Sequence, residues 1–166
     1  IRIICYTAVL ALCGAELVVR LILPVPRLRE ISVPHMYLDD PLLGYRLVPG
    51  ITTDVHAWDN TKELFHVRYR IDEHGRRDVD IPNITDRKKH LVILGGSTVF
   101  GKGLADNETL GHFLGQITSQ SRPYNYAVDG YGPQGAYALA ENGALASEVL
   151  ERDGVTILFF QMLNKT

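Results

Sequence analysis

His90-Leu-Val-Ile-Leu-Gly-Gly-Ser-Thr-Val-Phe-Gly101 is the stretch on which the reading of this chain turns. Leu91 to Leu94 form a continuous apolar run, the pattern of a parallel strand covered on both faces. Gly95 and Gly96 then permit a tight turn, which leaves Ser97 just past the carboxyl end of that strand. In open α/β sheets this is where ligands bind. On its own Gly-Gly-Ser is an ordinary loop tripeptide, and its weight comes from what surrounds it.

From His90 onward the chain alternates between strand and helix patterns. Asp106 reads as an N-cap, followed by Leu110, Phe113, Leu114 and Ile117 on one apolar helical face. Tyr124 to Val128 reads as a second strand, and Asp129-Gly-Tyr-Gly132 turns the chain into a helix opened by Pro133. Asp153-Gly154 stops that helix before a third apolar strand, Val155 to Phe160. A β-α-β-α-β order with short connections predicts an α/β fold with a flavodoxin-like parallel sheet, its front half lying in residues 89–166.

The preceding residues divide into three. Residues 41–88 read as a small β-containing segment. It contains Leu43-Gly-Tyr-Arg-Leu-Val-Pro-Gly50, extended and closed by a Pro-Gly turn. It also contains Phe65, Val67, Tyr69 and Ile71 alternating with polar residues, a strand with one buried face. Arg76 and Arg77 beside the next turn are expected to be solvated. Residues 24–40, rich in proline, read as a linker. Residues 1–23 read as a transmembrane anchor or uncleaved signal, because Ile3 to Leu23 is almost wholly apolar and long enough to span a bilayer. A buried helix is the alternative. Glu16 and Arg20 stand at i and i+4 in the favourable order for an ion pair. Arg20, Arg27 and Arg29 follow the run and only Arg2 precedes it, a bias that favours a cytoplasmic side after the helix.

Composition narrows the partners. A formal net charge of −2 with scattered basic residues points away from nucleic acid. Cys5 and Cys13, eight residues apart on one helix, cannot bridge each other. The six histidines show no paired metal-ligand spacing along the chain, which argues against a zinc site. A chain that opens on Ile1 and stops at Thr166 is expected to be a piece of a longer one. Gly96-Ser-Thr-Val-Phe-Gly-Lys102 matches the opening of a phosphate-binding loop. Gly103 stands where the magnesium-holding hydroxyl is needed, so nucleotide binding is not expected.

Taken in order, Leu43-Gly-Tyr-Arg-Leu-Val-Pro-Gly50, Tyr69-Arg-Ile-Asp-Glu-His-Gly-Arg-Arg77 and Gly95-Gly-Ser-Thr-Val-Phe-Gly-Lys-Gly-Leu104 resemble the SGNH (GDSL-type) hydrolase superfamily. The likeness is especially to its membrane-anchored bacterial members, and it extends from about Asp40 to Asn164. The resemblance implies that Ser97 is a catalytic nucleophile, with its own backbone N–H, that of Gly130 and the Asn164 side chain forming an oxyanion hole. It implies no metal or organic cofactor, an acyl-ester substrate and an extracytoplasmic catalytic domain anchored to a membrane. The expected activity is that of a serine esterase or deacylase acting on short acyl esters, acetyl groups on cell-envelope glycans among them. An O-acyltransferase of the same fold and a non-catalytic glycan-binding envelope protein are the alternatives. The family's Asp-x-x-His block, which supplies the general base, has no counterpart after Ser97. Only His112 follows that serine, and Asn164 is followed by Lys165 where the family has aspartate. Little or no turnover is therefore expected of residues 1–166 alone.

Overall fold

The structure is a computed structural model, in which the described residues are 2–22, 28–60 and 62–160, excluding the side chains of residues 2–5, 7 and 8. Its strands form three sheets. β1 (Leu28–Val33), β4 (Thr52–Asp59) and β5 (Lys62–Arg70) make an antiparallel sheet in the order β1-β4-β5, and β2 (Tyr37–Asp40) pairs antiparallel with β3 (Gly44–Leu47). β6 (Lys89–Leu94), β7 (Ser121–Asn125) and β8 (Asp153–Leu158) make a parallel sheet with β6 at its centre. Between β6 and β7 lie α2 (Ser97–Phe100) and α3 (Leu110–Ile117), and between β7 and β8 lie α4 (Pro133–Glu141) and α5 (Ala144–Glu148).

This architecture corrects the expected flavodoxin-like fold. Among the described residues the parallel sheet has only three strands, while five strands belong to antiparallel sheets. The reason is which partners the apolar faces find. Leu91 and Ile93 of β6 pack with Val55, Tyr69 and Ile71 of the antiparallel segment, whereas Val92 and Leu94 face Ala136 and Leu139 of α4. An antiparallel layer thus takes a share of the surface that helices cover in a doubly wound sheet. Among the described residues β8 is an outer strand of this sheet, with Val155 and Leu158 exposed. β1 and β2 also lie within the stretch read as a linker. The proline content of that stretch hid both strands, which pair with β4 and β3.

The period-two reading of β5 matches the burial: Tyr69 and Ile71 are buried, Phe65 and Val67 half-buried, and His66, Arg68 and Arg70 exposed. Arg76 and Arg77, expected to be solvated, are both buried, at 6% and 2% exposure. The Arg77 guanidinium lies 3.9 Å from the Tyr69 ring centroid and 4.9 Å from that of Phe100. Its Nε donates to Asp106 Oδ1 at 2.9 Å and its Nη2 to the Leu104 carbonyl at 2.8 Å. Burial pushes Arg77 below the ordinary arginine range, and the Asp106 carboxylate opposes that shift. The Arg77 backbone bridges Ile71 on one side and Asn125 on the other, joining the antiparallel layer to the end of β7. Asp106 therefore pairs ions instead of capping α3. The cap is Thr109, whose hydroxyl accepts from the His112 N–H at 3.2 Å.

Helix α1 (Arg2–Ile22) carries the expected ion pair, with Arg20 Nε 2.8 Å from Glu16 Oε1 and both groups exposed. Among the described residues no helix is long and apolar enough to cross a membrane, which corrects both the expected anchor and the membrane-anchored localisation drawn from it. The uninterrupted apolar run before Glu16 reaches only from Ala8 to Ala15. That is well short of the about 20 residues a bilayer core demands.

Removing Asp106 would strand the Arg77 charge in a site closed to water. Asp106→Ala is expected to lower stability by about 3–5 kcal/mol, the usual cost of breaking a buried pair from one side. The urea midpoint should fall accordingly.

Candidate functional site

Ser97 owes its position to β6, whose last four residues are all buried. The chain leaves the strand through Gly95 and Gly96 and enters the single-turn helix α2, anchored by buried Val99 and Phe100. The Gly96 carbonyl accepts from the N–H groups of Val99 and Phe100 at 3.1 and 2.9 Å. A Cβ on Gly96 would lie 2.7 Å from the Tyr131 carbonyl oxygen, so only glycine lets the Tyr131 segment approach this closely. The Ser97 side chain is half-buried at the mouth of this turn.

Gly130 reaches the same place from β7. Beyond that strand the chain stays beside β6, with Tyr126 N–H donating to the Ile93 carbonyl at 3.0 Å and Val128 N–H to the Gly95 carbonyl at 3.2 Å. The turn closes through Tyr131 N–H to the Val128 carbonyl, with Gly130 at φ +85°. The Tyr45 hydroxyl donates to the Asp129 carbonyl at 2.7 Å and fills the space a Cβ on Gly130 would need.

Ser97 and Gly130 line one cavity of about 700 Å³, together with Tyr131, Gln134, Phe159 and Phe160. That is within the range of small-molecule sites. Among the described residues, neither the Ser97 N–H nor the Gly130 N–H has a hydrogen-bond partner, and nothing bonds the Ser97 hydroxyl. The first is the orphan donor expected at the start of any helix. Phe159 and Phe160, just past β8, give the cavity an apolar wall at the third strand end. Burial, aided by Tyr45 and Asp40, pushes the Tyr131 hydroxyl up to about 12, so it stays a neutral donor at any ordinary pH.

Asn164, the remaining expected donor, lies outside the described residues. His112 is buried, and both its ring nitrogens are engaged: Nδ1 at 2.8 Å from the Val79 carbonyl and Nε2 at 2.8 Å from Gln116 Nε2. It holds α3 to the segment before β6 and is not available as a base for Ser97. Lys102, the lysine of the phosphate-loop likeness, contacts Asp129 Oδ2 at 2.6 Å and Glu30 Oε2 at 2.7 Å. Burial opposes its charge, but those two carboxylates outweigh burial and hold its pKa above the ordinary value. Its ammonium ties the loop after β6 to Asp129 beyond β7 and to Glu30 of β1.

Sequence reasoning missed Tyr45 and Lys102 as supports of the site. Tyr45 sits in the Leu43–Gly50 block, 84 residues before the carbonyl it bonds, and no local pattern connects the two. No protein-family model matches this chain, and no curated protein matches it.

Gly130→Ala would force a side chain into a left-handed backbone conformation and onto the Tyr45 hydroxyl. A loss of about 1–3 kcal/mol is expected. Tyr45→Phe combined with Gly130→Ala should recover part of it in chemical denaturation, because the colliding oxygen is gone.

Proposed function

We propose that the Ser97 cavity is the acyl-ester site of an SGNH-type serine esterase or deacylase. The observation that carries this reading is that Ser97 and Gly130, whose backbone N–H groups are unpaired among the described residues, line a single cavity beyond the carboxyl ends of adjacent parallel strands. Attack of Ser97 Oγ on an ester carbonyl carbon forms the C–O bond and moves the carbonyl electrons onto oxygen. The Ser97 and Gly130 N–H groups are fixed beforehand by α2 and by the turn at Gly130, so they receive that charge without rearranging. Asn164 is the third donor by resemblance. The Ser97 proton passes to a base and then to the departing alcohol as the tetrahedral species collapses, and water releases the acyl group by the same steps in reverse. No metal or organic cofactor enters these steps.

The cavity also limits the substrate. Phe159 and Phe160 suit a short apolar acyl chain, while Thr98 and Gln134 at the rim suit a polar alcohol such as a glycan hydroxyl. Acetyl esters of cell-envelope glycans fit both requirements and follow the resemblance.

The base is the weak point of this arrangement. Among the described residues no histidine hydrogen-bonds Ser97, and an unassisted serine hydroxyl is a poor nucleophile. The 1–166 chain is therefore expected to hydrolyse p-nitrophenyl acetate barely faster than its Ser97→Ala variant. Added imidazole should enter the open cavity and raise the rate of the wild-type chain above that of Ser97→Ala at the same imidazole concentration. Equal rates with imidazole, together with no covalent labelling of Ser97 by a fluorophosphonate, would overturn the proposal. Strong hydrolysis without imidazole that vanishes in Ser97→Ala would overturn the missing base instead.

A further inference from the structure

The outward face of the β4–β5 hairpin carries a second cluster of chemical groups, unrelated to the Ser97 cavity. His56 and His66 are directly opposed cross-strand partners. Their rings stack with centroids 3.6 Å apart and planes 19° from parallel. Glu63 joins them through His56 Nδ1, which lies 3.3 Å from Glu63 Oε1. One ligand atom from each of the three residues lies within 4.8 Å of the others.

Glu63 belongs on this face only because the hairpin is irregular. In an unbroken ladder the residue opposite Trp58 would be Leu64, which shares the parity of His66, and Glu63 would point the other way. The register shifts between Ala57 and Trp58, so that Ala57 faces Phe65 but Trp58 faces Glu63. Leu64 is the extra residue of a β-bulge. Bulges re-aim side chains in this manner and recur beside functional sites. Here the bulge swaps an apolar residue for a carboxylate next to two imidazoles.

We propose that His56, Glu63 and His66 bind one divalent transition-metal ion, with Zn²⁺ the best match. Two imidazoles and a carboxylate are borderline ligands that suit Zn²⁺ and Cu²⁺ and not Mg²⁺ or Ca²⁺. A tetrahedral ion with bonds of about 2.0–2.1 Å holds its ligand atoms roughly 3.3 Å apart, so the three ligand atoms, within 4.8 Å of one another, have only a short distance to close. The directly paired strands fix the two backbones, and the partly exposed rings turn out of their parallel stack so that their in-plane nitrogen lone pairs converge on the ion. Water takes the fourth position. The site stands on an open sheet face, so the ion serves as a clamp across the hairpin and not as a reaction centre.

Trp58, the single tryptophan of the chain, stacks on His56 at 5.3 Å and 8°, which makes it a built-in reporter. Cu²⁺ added alone should quench its emission saturably at one equivalent, and prior Zn²⁺ should block the quenching. His56→Phe and His66→Phe, which keep a flat ring in the strand, should each abolish the saturable phase. Glu63→Gln should weaken it, and His35→Ala should leave it intact. A test without variants follows the imidazole resonances of the wild-type protein during Zn²⁺ addition, where His56 and His66 should shift and His35 and His74 should not. Quenching that never saturates, that survives in the double His56→Phe/His66→Phe variant, or Zn²⁺ that moves no imidazole of this pair overturns the proposal.

Discussion

The fold depends on the buried guanidinium of Arg77. Its planar group lies against Tyr69 of β5 and Phe100 of α2, its Nε and Nη2 reach Asp106 and Leu104, and its backbone bridges Ile71 and Asn125. One residue thus joins the antiparallel layer, the loop after Ser97 and the end of β7. A charge so completely withdrawn from water is tolerable only with a matched carboxylate close by, and even so Arg77 Nη1 has no hydrogen-bond partner among the described residues. Asp106 supplies the carboxylate, and it also accepts from Arg70 Nε at 2.8 Å. Arg76 repeats the arrangement one position earlier, held by Asp72 and lying over the rings of Tyr124 and Tyr126.

That junction bears directly on the candidate site. Ser97 stands on a helix of four residues, too short to hold its own conformation without help. Phe100, at the end of that helix, is pinned by the same Tyr69 and Arg77 that join the layers. On the other side, the Gly130 turn is held by Tyr45 from β3 and by Lys102, which reaches across to Asp129. The backbone segments that carry Ser97 and Gly130 are therefore held by residues from three separate parts of the chain. Backbone donors held in place are what stabilising a developing oxyanion requires.

How far each feature could be read from the sequence depends on how locally it is decided. The apolar run Leu91–Leu94, the double glycine and the Pro133 helix start were all legible, because strand burial, turn geometry and helix entry are properties of a few adjacent residues. The alternation of Phe65 to Ile71 was legible for the same reason. The fates of Arg76 and Arg77 were not, since an arginine beside a turn is ordinarily solvated and only distant aromatic rings change that. The histidine pair of the hairpin escaped notice in a similar way. Spacing along the chain said nothing, although positions 56 and 66 are symmetric about the turn near Asn60, and that symmetry was a usable signal.

By itself, then, the sequence determined the buried strand at Leu91–Leu94, the glycine turn that presents Ser97 and the helix start at Pro133, because short-range sterics and apolar periodicity suffice for these. It misplaced the second strand, read as Tyr124–Val128 where β7 is Ser121–Asn125, and it read as one helix up to Asp153 where α4 and α5 are separate and Asp153 opens β8. Tertiary structure alone decided that an antiparallel layer packs against the parallel sheet. It also decided that Asp106 neutralises Arg77 instead of capping a helix, and that a bulge turns Glu63 toward His56 and His66. Each of these outcomes depends on which distant surface is available to exclude water or to supply an opposite charge. Residues that meet across dozens of positions leave no periodic trace in the chain that carries them.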